Sequence, residues 1–342
     1  MGKESAVRQE KMALGRDMAM DVMKGLGILA VIAGHLVETG RGFIFSWHMP
    51  LFFILAGYFY REREPLAEAR KDALRLLLPY ALTCAALVAM AAAVSAIKGH
   101  DYVTDSLLAA AYASGSIGHT SRYMAWVPSV GVVWFLWALF WCKVLYNIMY
   151  RRLRGKALPV SLALSVAAVA LDSFVINLPL AILPGASATV FYAAGHWLRR
   201  HGGFAGLRPA VAAVCLVAWV VALRVTDMSM VRCHYGCYPL NIVGACGGVY
   251  AVYLLSRLLS RLLVRLLVRR VAAASRALAW VGRCSLAVMC LHLVDLRCPV
   301  YGVVSMPAGV RLLCGVAFCL LGAWALSRFA VTRRAFGIIS SP

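Results

Sequence analysis

Apolar runs of about 20 residues recur along almost the whole chain, and a helix of that length is what it takes to cross a hydrocarbon core about 30 Å thick. Ten can be drawn, at 22–39, 43–60, 74–97, 130–150, 158–177, 181–198, 209–225, 238–258, 278–296 and 308–328. In lipid, a segment must satisfy its own backbone N–H and C=O groups, so such runs fold as helices. The expected fold is therefore all-α: a polytopic membrane helix bundle of about ten transmembrane helices. Composition points the same way, with 62% hydrophobic residues, 14% charged residues and a mean hydropathy of +0.78. Soluble domains carry about 25% charged residues.

A net charge of +21 would suggest nucleic acid in a soluble protein, so the placement of that charge matters. With a cytoplasmic N-terminus, the segments on the inside hold 27 of the 35 Lys and Arg residues and those on the outside hold seven, while Lys143 falls within a span. That asymmetry is the positive-inside pattern, which places both termini in the cytoplasm. The basic balance therefore reads as topology, and no nucleic-acid partner is expected. The first apolar run lacks a small-residue cleavage site and reads as an uncleaved signal anchor. Richness in alanine, arginine and valine suggests a GC-rich bacterial source, hence a multi-pass protein of a bacterial cell membrane.

No polar linker divides the chain, so a single domain is expected over 1–342. It has a cytoplasmic N-terminal segment at 1–21, a longest extracytoplasmic loop at 98–129 and a basic cytoplasmic segment at 257–276. The loop carries His100, Asp101, Asp105, His119 and Arg122, and loops of that length are often functional. In the basic segment, Arg257, Arg261, Arg265 and Arg269 recur every fourth residue among leucines. This spacing draws a slowly turning stripe along a helix. It suits an interfacial helix on anionic lipid headgroups, or a platform for a phosphorylated cytosolic ligand. Of the 11 cysteines, Cys233, Cys237 and Cys298 fall on the oxidising side, where a disulfide can persist.

An ionisable residue inside a membrane span is costly, and its presence is by default a statement about function. His35 is such a residue. Lys24 lies 11 positions earlier, about 16 Å along a helix at ~1.5 Å per residue and close to three turns, so the two share a face. Asp21 stands three residues before Lys24 and Glu38 three after His35, each at a spacing that allows pairing. A general base needs a pKa near the working pH and a partner that holds its tautomer, and a histidine beside a carboxylate supplies both. The bland alternative is a polar strut bonded to a neighbouring helix. His48, in Trp47-His48-Met49-Pro50, reads as a second catalytic or acceptor-binding group, or as an interfacial residue beside the Trp47 anchor. His292 is a further intramembrane histidine with Asp295 at spacing three, whereas His196, beside arginines, reads as interfacial. No HExxH or paired CxxC spacing is present, so no zinc site is expected. Neither a Walker motif, a GxSxG elbow nor a GxGxxG after a strand appears.

The run Arg16…Asp21-Val-Met-Lys24-Gly25…Gly34-His35, followed by Trp47-His48-Met49-Pro50-Leu51-Phe52-Phe53…Gly57-Tyr58, resembles the acyltransferase 3 family of integral membrane acyltransferases. Its FHMPLFF-type sequence is most similar to the fucose 4-O-acetylase-like branch. The resemblance continues through Trp134-Phe135-Leu136, Phe191-Tyr192…Gly195 and Gly282…Ser285-Leu286…Leu291-His292. It implies transfer of an acyl group, usually acetyl, from cytosolic acyl-CoA to a hydroxyl of a surface or lipid-linked saccharide. Acetyl-CoA would then be a co-substrate, with no bound cofactor. It also implies that His35 is the catalytic histidine, acting as general base or transient acyl carrier, and that Lys24 stabilises the anionic donor or the developing oxyanion. Glu38 joins them as the partner of His35, while Arg16, Asp21, His48, Trp134 and His292 are expected to bind substrate. The chain departs from the family pattern at Ala56-Gly57, where Ser-Gly is usual, and at Lys24, where arginine is commoner. The rival class is a transporter or flippase using intramembrane histidines and carboxylates; no inverted repeat supports it.

Overall fold

The computed structural model describes residues 2–116, 126–175, 177–265, 270–302 and 304–338, with the side chains of 2–17, 175, 261–265, 270–273 and 302 left aside. His119, Arg122 and Arg269 lie outside the described residues. Sixteen α-helices follow one another: α1 (Gly2–Leu36), α2 (Arg41–Phe45), α3 (His48–Tyr58), α4 (Pro65–Asp72), α5 (Leu78–Lys98), α6 (Val103–Tyr112), α7 (Trp134–Leu153) and α8 (Ala157–Val175), then α9 (Ile182–Ser187), α10 (Thr189–Arg200), α11 (Pro209–Val225), α12 (Tyr238–Arg265), α13 (Arg270–Arg283), α14 (Ser285–Leu296), α15 (Ala308–Arg328) and α16 (Ala330–Ala335). Among the described residues no strand forms, and an isolated antiparallel bridge joins Ser229 and His234.

Against the expectation of about ten spans, five helical stretches among the described residues are long and apolar enough to cross a membrane: Met18–Leu36, Pro65–Lys98, Gly131–Phe174, Tyr238–Ser260 and Ala308–Arg328. A sixth counts if α13 and α14, bent by 79° at their junction, are taken as one broken span. The other apolar runs are helical yet interrupted. The run at 43–60 splits into α2 and α3 at Ser46–Trp47, and that at 181–198 splits into α9 and α10. The helix at 209–225 is apolar but only 17 residues long. Hydropathy registers apolarity and is blind to breaks.

Helix ends follow local chemistry. Pro65 opens α4 and the Glu64 carboxylate accepts from the Ala67 amide at 2.8 Å. The Ala67 and Leu66 amides hold the Glu64 carboxyl below its usual range. Between α4 and α5 the chain makes a π turn, Ala73–Leu77, a feature that clusters at functional sites. In the 98–129 segment, the Thr104 hydroxyl and the Thr104 and Val103 amides bond Asp101 and lower its carboxyl pKa. Helix α1 ends at Leu36, and the Arg41 guanidinium, Nε donating at 3.1 Å, satisfies the Gly34 carbonyl left open there.

Helix α1 runs through the middle of the bundle and packs on α3, α12, α13, α14 and α15. Its closest approach is to α13. A Cβ on Gly25 would collide with the Leu278 carbonyl, and one on Gly282 with the Asp21 carbonyl. Between α3 and α10 the same device recurs, with Gly57 against the Tyr192 carbonyl and Gly195 against that of Ile54. Small residues let helices in lipid approach until van der Waals packing is strong enough to hold them, because no hydrophobic force acts between them there. Trp47, expected at the membrane interface, is instead buried, 6% exposed. Cys233, Cys237 and Cys298 are unbridged, with Cys233 buried and its thiol 3.9 Å from the Ser187 hydroxyl. Gly282→Val is expected to lower the thermal midpoint of the detergent-solubilised protein, at a cost of about 1–3 kcal/mol for overpacking. Gly42→Ala, with nothing within 4 Å of the added carbon, is expected to leave it unchanged.

Candidate active site

On α1, the residues Lys24, Ile28, Val31 and His35 line one cavity of about 350 Å³. Their spacing of four, three and four is that of one helix face, so Lys24 and His35 do share a wall. At the Lys24 end the cavity is strongly basic. Lys24, Arg61, Arg63, Lys71, Arg75, Lys143 and Arg283 line it, with Glu68 as the one carboxylate among the described lining residues. Farther in, the walls turn apolar, with Phe52, Leu55, Phe135, Leu139 and four methionines, Met49, Met228, Met230 and Met289. Unbranched methionines fill irregular space and adapt to what occupies it. Ala56 is part of this wall, so the hydroxyl missing from the family pattern is missing from the cavity itself.

The basic end is held by two sets of ion pairs. Asp21 receives Lys24 at 3.3 Å and Arg283 at 3.6 Å, joining α1 to α13 beside the Gly25–Gly282 contact. Lys24 also lies 5.3 Å from the centre of the Phe59 ring. The second set is centred on two buried carboxylates, Glu68 and Asp72. Lys143, on α7, pairs with Asp72 at 2.5 Å and lies 3.6 Å from Glu68, which also receives Lys71 at 3.1 Å and Arg63 at 3.3 Å. Asp72 is fully enclosed. A buried pair of this kind is weak evidence for stability, yet breaking it exposes a charge with nowhere to go. Arg61 and Arg75 have no carboxylate partner among the described residues and face the cavity with their charge uncommitted.

His35 stands where this cavity meets a second one of about 680 Å³. The second cavity extends away from the basic end, between α5, α6 and the 126–132 segment, past Tyr102, Asp105, Trp126 and Arg297. Among the described residues, His35, Val132, Trp134 and Val231 line both spaces, and of these His35 has nucleophilic or basic chemistry. Its ring is tilted against Phe45 at 5.9 Å and against His292 at 5.7 Å between centroids. No hydrogen bond reaches either of its ring nitrogens among the described residues.

The remaining expected site residues fall into three groups. His48 and Trp134 are brought to the site. The His48 Nδ1 donates to the Ile44 carbonyl at 2.8 Å, and the residue lines the cavity. Trp134 begins α7 and walls both cavities. Asp21 and His292 sit behind the wall: Asp21 anchors Lys24, and the fully buried His292 packs on His35 without lining either cavity. Arg16 belongs to α1, but its side chain is outside the described set.

Glu38 is not brought to His35. Helix α1 stops two residues before it, so the i, i+3 geometry that would have joined the two is lost, and Glu38 is exposed. Asp295 is likewise withheld from His292. It is bound by Arg311 at 2.8 Å and by the Tyr301 hydroxyl at 3.0 Å. His196, expected at the interface, is buried among Tyr60, Tyr146 and Tyr150, its Nδ1 2.7 Å from the Tyr146 hydroxyl.

Sequence reading missed Glu68, Asp72 and Lys143 as parts of the site. Lys143 was the available signal, a lysine alone in the apolar run WFLWALFWCKVLY, which by the cost of an intramembrane charge must have a buried partner. Lys143→Met is expected to destabilise the protein by about 3–5 kcal/mol by stranding Asp72. Adding Asp72→Asn should recover most of that loss in a thermal-unfolding measurement.

Among the described residues no group of three or more His, Cys, Asp or Glu is placed to hold a metal ion. No curated protein and no solved structure matches the chain. A family model described as an acyltransferase domain does match, over residues 18–328, which runs from within α1 to the end of α15 and takes in the lining of both cavities except Gly337. The chain belongs to that family, the acyltransferase 3 membrane acyltransferases.

Proposed function

We propose that the protein carries an acyl group, acetyl in the simplest case, from cytosolic acyl-CoA through the membrane to a hydroxyl of a cell-surface or lipid-linked saccharide. The observation that carries this reading is that His35 lies on both cavities, with the basic end on one side only. In this reading the basic end faces the cytoplasm of a bacterial cell, as the positive-inside pattern indicates, and both termini lie on that side. Uncommitted guanidiniums at Arg61 and Arg75, with Lys24 and Lys71, suit the phosphates of CoA. The apolar, methionine-lined stretch beyond suits its acyl-bearing arm. Lys24 stands about 16 Å along α1 from His35, too far to share an atom with it, and so is assigned to the anionic donor, not to the oxyanion.

Because donor and acceptor enter separate cavities, His35 is assigned as an acyl carrier. A ring nitrogen attacks the thioester carbonyl carbon, the C–S bond breaks and the thiolate leaves toward the basic end, taking the proton released from the ring. The acceptor hydroxyl oxygen then attacks the acyl-imidazole, the C–N bond breaks and the hydroxyl proton returns to the ring. His48, which lines the same cavity, is assigned to hydrogen-bond an entering group. Neither a soluble carrier nor a bound cofactor is needed on the outer side.

Purified protein in nanodiscs, given radiolabelled acetyl-CoA, tests the assignment. His35→Ala is expected to cut CoA release to a small residual rate while still inserting and binding acetyl-CoA. Lys24→Ala is expected to raise KM for acetyl-CoA with little loss of kcat, the more so at low salt. Acid-quenched wild-type protein should carry label on the peptide containing His35. Turnover without such label would make His35 the general base instead, and a folded His35→Ala protein that turns over at the wild-type rate would remove it from the chemistry.

A further inference from the structure

We propose that His292 is the positioning residue for His35, in the role the sequence offered to Glu38. The inference rests on the acyl-transfer reading above and adds a residue to it. Four observations converge. The two rings are neighbours, 5.7 Å apart between centroids and inclined by 43°. His292 is 0% exposed, and both of its ring nitrogens are enclosed without a hydrogen-bond partner among the described residues. Buried polar atoms in folded proteins are nearly always bonded, and one that is not calls for an explanation. The carboxylate best placed by spacing, Asp295, is already bound by Arg311 and Tyr301. Finally, His292 lines neither cavity, so it reaches the reacting atoms only through His35.

An imidazole suits this place better than a carboxylate would. A neutral ring offers one donor and one acceptor, so it can hold His35 in either tautomer without bringing a net charge into the apolar core. The torsion that turns a histidine ring is soft, and catalytic hydrogen bonds are often long before substrate binds and close in the loaded enzyme. A turn of either ring would set a nitrogen of His292 against the His35 nitrogen that does not carry the acyl group. His35 would then present its other nitrogen to the junction of the two cavities in a fixed orientation.

The test uses the full chain in nanodiscs, with acetyl-CoA as donor, water as acceptor and CoA release as the readout. His292→Phe keeps a ring of similar size and removes both nitrogens, whereas His292→Gln keeps a donor and an acceptor. With His292→Phe, kcat is expected to fall about 10- to 100-fold, the usual cost of losing an orienting partner, with KM for acetyl-CoA unchanged. His292→Gln should recover most of that loss. In a His35→Ala background, His292→Phe should change the residual rate no further, since a residue acting through another adds nothing once that other is gone. Wild-type kcat in His292→Phe, or equal losses in the Phe and Gln variants, would overturn the proposal. His292→Leu replaces His292→Phe in the comparison if the latter does not insert. Wild-type protein that releases no CoA would overturn the acyl-transfer reading itself, and a wild type that turns over beside an unaffected His292→Phe would overturn only the role of His292.

Discussion

Charge enclosed by hydrocarbon has to be answered within the bundle, and that constraint organises this molecule. Three carboxylates in or beside the apolar helices are matched from another helix: Asp21 on α1 by Arg283 on α13, Asp72 by Lys143 on α7, and Asp295 on α14 by Arg311 on α15. Each pair fixes the relative height of two helices, because a shift of one turn would leave a charge alone in an apolar medium. Glycine contacts then set how near the helices come. Where α1 meets α13 the two devices coincide, since Asp21 contributes its carbonyl to the contact with Gly282 and its carboxylate to Arg283. The wall carrying Lys24 and His35 is thus located by its neighbours on both counts.

Much of this was legible in the sequence. The apolar runs declared a helical membrane protein, and the 11-residue separation of Lys24 and His35 placed both on one helix face. The motif around them led to the family later matched over residues 18–328. What was not legible follows from the one-dimensional nature of hydropathy. A run such as 43–60 is equally apolar whether its helix is continuous or broken, and the break before His48 is made by a loose turn, not by a proline or a charge. Likewise, spacing predicts a side-chain pair only while the helix continues. Glu38 had the spacing but not the helix, and Asp295 had both but a stronger partner across the bundle.

The site residues that sequence reading missed share one property: their meaning is relational. Glu68 and Asp72 lie in PLAEARKD, a stretch that alone looks like an exposed polar turn. They become buried because α4 packs against α7, and only Lys143 announced that such a partner had to exist. The orphan nitrogens of His292 are of the same kind, visible only once Asp295 is seen to be engaged elsewhere.

The narrow junction between the two cavities has one more consequence. Apart from His35, its shared lining is Val132, Trp134 and Val231, three side chains with no charge and a single weak donor among them. A membrane that stores energy as an ion gradient cannot tolerate a wet path from one face to the other. Trp134, at the start of α7 with Gly115 close against its ring, is the bulkiest of the three. In the proposed reading it limits such a path, so that acyl transfer passes at a single imidazole without opening a route for ions.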